Sequence, residues 1–186
     1  MRNTVPPNVQ AVNGTATTAG YIRAYSPWLF VAFIAYIYLW YLQYKFTGHP
    51  GSVQLFTTLT DWLGFHGHEK FMRIGVGSME LTATTLLVIP RTQIFGAAVS
   101  LCIMTGAIFF HTVSPLGIDP YGDGGVLFKQ ACATWISSLA ILVLRADTVA
   151  ATLATIETYL PKPLRSVTAT VRRVFSGVDG LLPRRP

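Results

Sequence analysis

Residues 71–90 read FMRIGVGSMELTATTLLVIP, with Arg73 near the start, Glu80 at the middle and Pro90 at the end. About 20 residues in a helix cross a hydrocarbon core of roughly 30 Å, and this run has that length. An ionisable group near the centre of such a helix costs several kcal/mol unless it is paired, hydrated or protonated. Glu80 therefore needs a partner from another segment, and the stretch predicts one helix of a packed bundle rather than an isolated anchor.

Three further apolar runs flank it: Pro27 to Phe46, Gln93 to His111 and Gly125 to Leu144. Ser26 stands where an N-cap is expected, with Pro27 at the first helical position, where a missing N–H costs nothing. The first run exceeds the roughly 7–15 residues of a signal-peptide core and no small-x-small cleavage pattern follows, so it is expected to be retained. The composition agrees with the runs. Of 186 residues, 51% are hydrophobic and 12% charged, against roughly 25% charged in soluble domains. The predicted class is all-α, an integral membrane four-helix bundle over 27–145, with a flexible arm over 1–26 and a basic amphipathic tail over 146–186.

The formal charge of +6 does not point to nucleic acid, because the bases concentrate in a tail beside apolar segments rather than in an aromatic-laced patch. It reads instead as topology. Arg2, Arg23, Arg91, Arg145 and the tail fall on one side of the spans, whereas the loop over 112–124 carries Asp119 and Asp123 and no base. Both termini are thus expected in the cytoplasm, although Lys45, Lys70, Arg73 and Lys129 gather near the opposite surface. Tyr21, Tyr25, Trp28, Trp40, Tyr41 and Tyr44 bracket the first run as an aromatic belt. Gly96/Ser100, Ala133/Ser137 and Thr134/Ser138 repeat at the four-residue spacing that lets membrane helices approach closely.

Shorter stripes lie between and after the runs. Val53, Phe56, Leu59 and Leu63, with Trp62 beside them, mark a helix over 51–64 too short to cross, expected on the outer surface or capping the bundle. In the tail, Val149, Leu153, Ile156 and Leu160 form one stripe and Leu164, Val167, Val171, Val174 and Val178 another, separated by Pro161-Lys162-Pro163. Arg165, Arg172 and Arg173 accompany the second. It is read as resting on an anionic leaflet or binding a partner subunit.

Each span brings a polar group to the outward half: Lys45, then Arg73 and Glu80, then His111, then Lys129. The inward half is nearly bare. At 1.5 Å per residue, Glu80 lies about 13 Å and Lys129 about 6 Å below the starts of their runs, within reach of a long lysine side chain. Glu80 and His111 are the candidate catalytic groups, and Arg73, Lys129 and Lys45 the candidate substrate-binding ones. Simpler roles compete: Lys45 and Arg73 can snorkel to headgroups, His111 can cap a helix end, and a buried pair can be a structural pin. His49, His66 and His68 do not complete a metal-ligand pattern, and His111 alone among spans gives no facing histidine for haem. Cys102 and Cys132 read as small packing residues, and no nucleophile elbow or phosphate-cradling loop is present.

Several of these stretches resemble the DoxX family of small four-span bacterial and archaeal membrane proteins. They are Lys45-Phe46-Thr47-Gly48, Phe71-Met72-Arg73-Ile74-Gly75 with Glu80-Leu81, Gly106-Ala107 with His111, and Gly124-Gly125 with Phe128, and the similarity covers roughly 27–145. It implies a four-helix bundle with polar groups near one face of the bacterial inner membrane. Members are associated with redox work, including a subunit of thiosulfate:quinone oxidoreductase. The expected function is an integral membrane component of a redox system, binding a quinone or small oxidisable substrate in the outward polar cluster. The alternative is a non-catalytic accessory subunit of a larger membrane complex.

Overall fold

The computed structural model describes residues 18–185. Of the expected flexible arm over 1–26, residues 1–17 lie outside the described residues, whereas 18–25 are helical. Seven helices follow a short helical lead-in over 18–25: α1 (Pro27–Thr47), α2 (Pro50–Trp62), α3 (Glu69–Val88), α4 (Gln93–Val113), α5 (Val126–Leu144), α6 (Ala146–Tyr159) and α7 (Lys162–Leu181). No strand occurs among the described residues. They fall into two compact units, one over 30–141 and one joining the residues before 30 to those after 141.

Three helices are long and apolar enough to cross a membrane: Thr18–Thr47, Gln93–Val113 and Val126–Leu144. The fourth expected span, α3, has 20 residues but carries Glu69, Lys70, Arg73 and Glu80, which lower its hydropathy below that of the other three. Ser26 does not cap a helix start. Its N–H donates to the Ile22 carbonyl at 2.8 Å, so the chain is already helical when it reaches Pro27, and the Ser26 hydroxyl has no partner among the described residues.

In the unit over 30–141, helix order and hydrogen bonds run together. Tyr38 on α1 shares a 2.7 Å hydrogen bond with Ser100 on α4, and the Ser138 hydroxyl on α5 lies 2.9 Å from the same oxygen. Gln93, Ser100, Thr134 and Ser138 are buried on the half expected to be bare. Small polar residues there replace bulk with short hydrogen bonds between helices, which lets α1, α4 and α5 meet closely.

The tightest approach joins α3 to α4. A Cβ on Gly96 would stand 2.6 Å from the Leu87 backbone nitrogen and 2.9 Å from the Ala83 carbonyl oxygen, distances real Cβ atoms do not adopt. Ala83, Leu87 and Ala97 are fully buried along the same seam. The Thr92 hydroxyl donates to Leu86 O at 2.9 Å and the Gln93 amide to Leu87 O at 3.3 Å, satisfying carbonyls that end α3. Leucine at 96 would have to push two backbones apart. Gly96→Leu is expected to destabilise the bundle by about 1–3 kcal/mol or more, read as a lower unfolding midpoint in detergent, whereas Gly75→Ala, with open space at its Cβ, should leave the midpoint nearly unchanged.

Candidate functional site

A cavity of about 630 Å³ opens within the unit over 30–141, between α1, α2, α3, α4 and α5. Its wall is mostly apolar. Three of the chain's four methionines, Met72, Met79 and Met104, line it together with Leu55, Phe56 and Phe110. Unbranched thioether side chains let such a wall adapt to irregular ligands. The polar lining comes chiefly from the end where α1 and α4 finish and α5 begins: Tyr41, Lys45, His111, Tyr121 and Gln130, with Glu80 entering from mid-α3.

Lys45 and Glu80 form the central pair. The Lys45 ammonium donates to both carboxylate oxygens, at 3.0 and 2.8 Å, and both side chains are largely buried. Lys45 sits on the last turns of α1 and is held over the Tyr41 ring, 5.8 Å from its centroid. The Tyr41 hydroxyl donates to Gln130 Oε1 at 2.6 Å, tying α1 to the first turns of α5. A carboxylate inside an apolar wall is tolerated here because a cation satisfies it bidentately.

His111, on the last turn of α4, is 4% exposed and points one ring nitrogen at the chain that follows: Nδ1 lies 2.7 Å from the Gly117 carbonyl. A carbonyl only accepts, so Nδ1 carries the proton. In the neutral ring Nε2 is then an acceptor.

Arg73 is placed elsewhere. It is buried, donates from Nε to Glu69 Oε2 at 3.0 Å and from Nη1 to the Lys45 carbonyl, and lies beside Gly48, whose φ of +73° turns the chain out of α1. It satisfies a carbonyl at the end of α1 and is not in the cavity wall. Lys129 is exposed in the first turn of α5, 4.0 Å from the Cβ position of Gly124, and makes no ion pair among the described residues. The expected Glu80–Lys129 pairing is thus replaced by Glu80–Lys45. The rotation of α5 turns Lys129 outward, and that of α1 turns Lys45 inward to the carboxylate.

Above the cavity, α2 contributes Gly51, Ser52, Leu55, Phe56 and Leu59, with His49 at its N-cap, so the short stripe closes the bundle. Phe56 and Leu59 are buried, whereas Trp62 and Leu63 at its end are exposed. The Tyr121 hydroxyl, from the loop before α5, donates to Gly51 O at 3.0 Å and latches that loop to α2. Burial, with Tyr41 and Asp123 nearby, holds the Tyr121 phenol above its ordinary value, so it stays a donor. The loop is itself braced: Asp119 accepts the N–H groups of Asp123 and Gly124, and Asp123 accepts that of Val126, capping α5.

Tyr38, Tyr41, Tyr121 and Gln130 were not singled out by the sequence as site residues. The spacing of Tyr38, Tyr41 and Lys45 puts them on one helical face, a signal masked by the aromatic residues all around α1. Cys102 lines the cavity and Cys132 lies apart; both are free. Among the described residues no group of three or more His, Cys, Asp or Glu could hold a metal ion. The chain matches no protein-family model, and no curated protein or solved structure matches it.

Removing one partner of the pair strands a buried charge, whereas removing both leaves an apolar contact. Lys45→Met is expected to cost about 3–5 kcal/mol of stability, and the double change Lys45→Met with Glu80→Met less than either single change. A double-mutant cycle on unfolding in detergent measures this; equal costs for the single and double variants would contradict the pairing.

Proposed function

We propose that the protein is an integral membrane component of a redox system whose cavity binds a quinone, or a small oxidisable amphiphile, by its polar head. The observation that carries this reading is the cavity: an adaptable apolar wall with a few convergent polar groups towards one end. Its size of about 630 Å³ lies within the roughly 300–1,000 Å³ of small-molecule sites. The resemblance of the ordered motifs to those of the DoxX family supports the same reading.

The bilayer setting extends from three spans to four on the strength of α3. Its inner charges, Arg73 and Glu80, are buried, while Phe71, Leu81 and Val88 are exposed, so the outer face beyond its first turn carries no charge. Such a face suits lipid although the whole helix is less apolar than the others. With Arg23, Arg91, Arg145 and the basic tail on one side and Asp119 and Asp123 on the other, the termini face the cytoplasm of a bacterial inner membrane and the polar end of the cavity faces outward.

A quinone fits the groups present, and when bound it supplies reversible two-electron, two-proton chemistry at its oxygens. The chain's own residues bind and orient. The Lys45 ammonium has three donors and spends two on Glu80, leaving one for a ligand oxygen. The Gln130 amide nitrogen also donates, since its oxygen is engaged by Tyr41. His111 Nε2 accepts a hydrogen bond, and the Glu80 carboxylate is the group able to take up a proton without leaving the wall. The apolar wall holds a hydrocarbon tail and excludes water.

A short-chain benzoquinone analogue titrated into the purified protein in nanodiscs tests this. Binding is expected to quench the fluorescence of Tyr41 and its neighbours. Glu80→Gln and His111→Ala should each weaken it about tenfold or more, the cost of one lost buried hydrogen bond; Glu80→Gln, which leaves the Lys45 charge without its counter-ion, should also lower the unfolding midpoint. Lys129→Gln should bind as the parent does. No saturable binding, or binding indifferent to both cavity changes, would remove the cavity from the function.

A further inference from the structure

We infer that α7 is a membrane-interface helix that docks its apolar face on anionic phospholipid, at the level where α5 leaves the bilayer.

The apolar face has no cover among the described residues. Leu164, Val167, Val171 and Val174, three and four residues apart, are all exposed, as is Leu181 one stripe further along. A different side faces the protein: Arg172 donates to Glu157 Oε2 of α6 at 3.0 Å, and Asp179 pairs with Arg23 of the helical lead-in at 2.5 Å. The length of 20 residues would suffice to span, but the charges and glycines of KPLRSVTATVRRVFSGVDGL keep the helix out of the spanning set. One apolar stripe on an otherwise polar helix of this length is the pattern of a helix lying in the headgroup plane.

The chain fixes where that plane must be. The end of α7 is tied to the last residue of α5: the Arg185 guanidinium donates to Leu144 O at 2.5 Å, and Arg23 donates to Leu144 O at 3.2 Å and to Pro183 O at 2.9 Å. Arg23 is 5% exposed at the centre of this knot, and Asp147 accepts from Arg185 at 3.1 Å. Leu144 closes a candidate spanning helix and Arg145 follows it, so the knot marks the edge of the hydrocarbon.

Charge selects the lipid. After Leu144 the acids are Asp147, Glu157 and Asp179, and each is already paired with an arginine. Lys162, Arg173 and Arg184 are exposed and have no carboxylate partner among the described residues. A helix with its side chains is only about 10–12 Å across, so Lys162 and Arg173, although they do not share the apolar stripe, stay within about one Debye length of the surface. The uncompensated charge of the tail is positive, and an anionic headgroup layer complements it.

The test uses the full chain with Cys102→Ala and Cys132→Ala and one new cysteine carrying a polarity-sensitive fluorophore. Val171→Cys and Val174→Cys place it on the apolar stripe, Ser166→Cys off it. Nanodiscs of phosphatidylcholine are compared with nanodiscs of an equal mixture with phosphatidylglycerol. In the mixture the probes at 171 and 174 should shift to the blue and be quenched by a lipid-borne nitroxide, while the probe at 166 keeps its aqueous emission. Lys162→Gln with Arg173→Gln and Arg184→Gln should lower the docked-to-free ratio at least about tenfold. Aqueous emission at both stripe positions in the mixture would overturn the inference. So would shielding that ignores the triple change, or shielding that arises only when solubilised membrane proteins are added, which would assign the face to a protein partner.

Discussion

The bidentate contact between the Lys45 ammonium and the Glu80 carboxylate governs how this bundle is assembled. A carboxylate halfway along α3 has to be answered from a neighbouring helix, and the answer comes from the last turns of α1. That requirement fixes the rotation of both helices about their axes. Once α1 is turned so that Lys45 faces inward, Tyr38 and Tyr41 face inward as well, and their hydroxyls find Ser100 on α4 and Gln130 on α5. Four helices are thereby keyed together by three polar contacts, while their outer faces stay apolar. Such contacts, with close backbone approach, set which helices meet and how each is turned.

The same constraint creates the cavity. Where small residues meet, as at Gly96 against the backbone of Ala83 and Leu87, helices close to contact. Toward the other end the inward positions carry long or aromatic side chains that pair with one another, and the helices stand apart there. Arg73 holds that end in place from behind by bonding the Lys45 carbonyl, and α2 with the Tyr121 latch closes it. A buried cation, a carboxylate and an oriented imidazole then share one wall with methionines. This combination sets fixed polar groups at one end of the cavity beside an adaptable apolar surface.

Outside the bundle a second set of charges acts differently. Arg23 and Arg185 gather the carbonyls of Leu144 and Pro183 and the carboxylates of Asp147 and Asp179 into one knot. Salt bridges of this kind add little stability where they are open to water. Their consequence is positional, since they anchor the end of α7 beside the end of α5 and leave its valine stripe uncovered.

Hydropathy and residue order were enough to establish the helical class, the apolar runs, the short stripe over 51–64 and the two tail helices, because those depend on local periodicity and length. They were also enough to mark Glu80 as needing a partner, because the cost of a lone charge in hydrocarbon does not depend on what surrounds it. Which lysine would answer was not legible. Lys45 and Lys129 both lay within reach by depth, and the choice rests on the rotation of α1 and α5 about their axes, which sequence spacing leaves free. The same freedom hid the inward role of Tyr38 and Tyr41 within a ring of aromatic residues and sent Arg73 to the end of α1 instead of the cavity. Ser26 failed as a helix start because packing in the adjoining unit, where Arg23 is tied to the chain after α5, supports helical backbone on its N-terminal side. Local sequence thus decided what forms a helix, and tertiary structure alone decided which face of each helix looks inward, because facing is settled by contacts between residues far apart in the chain.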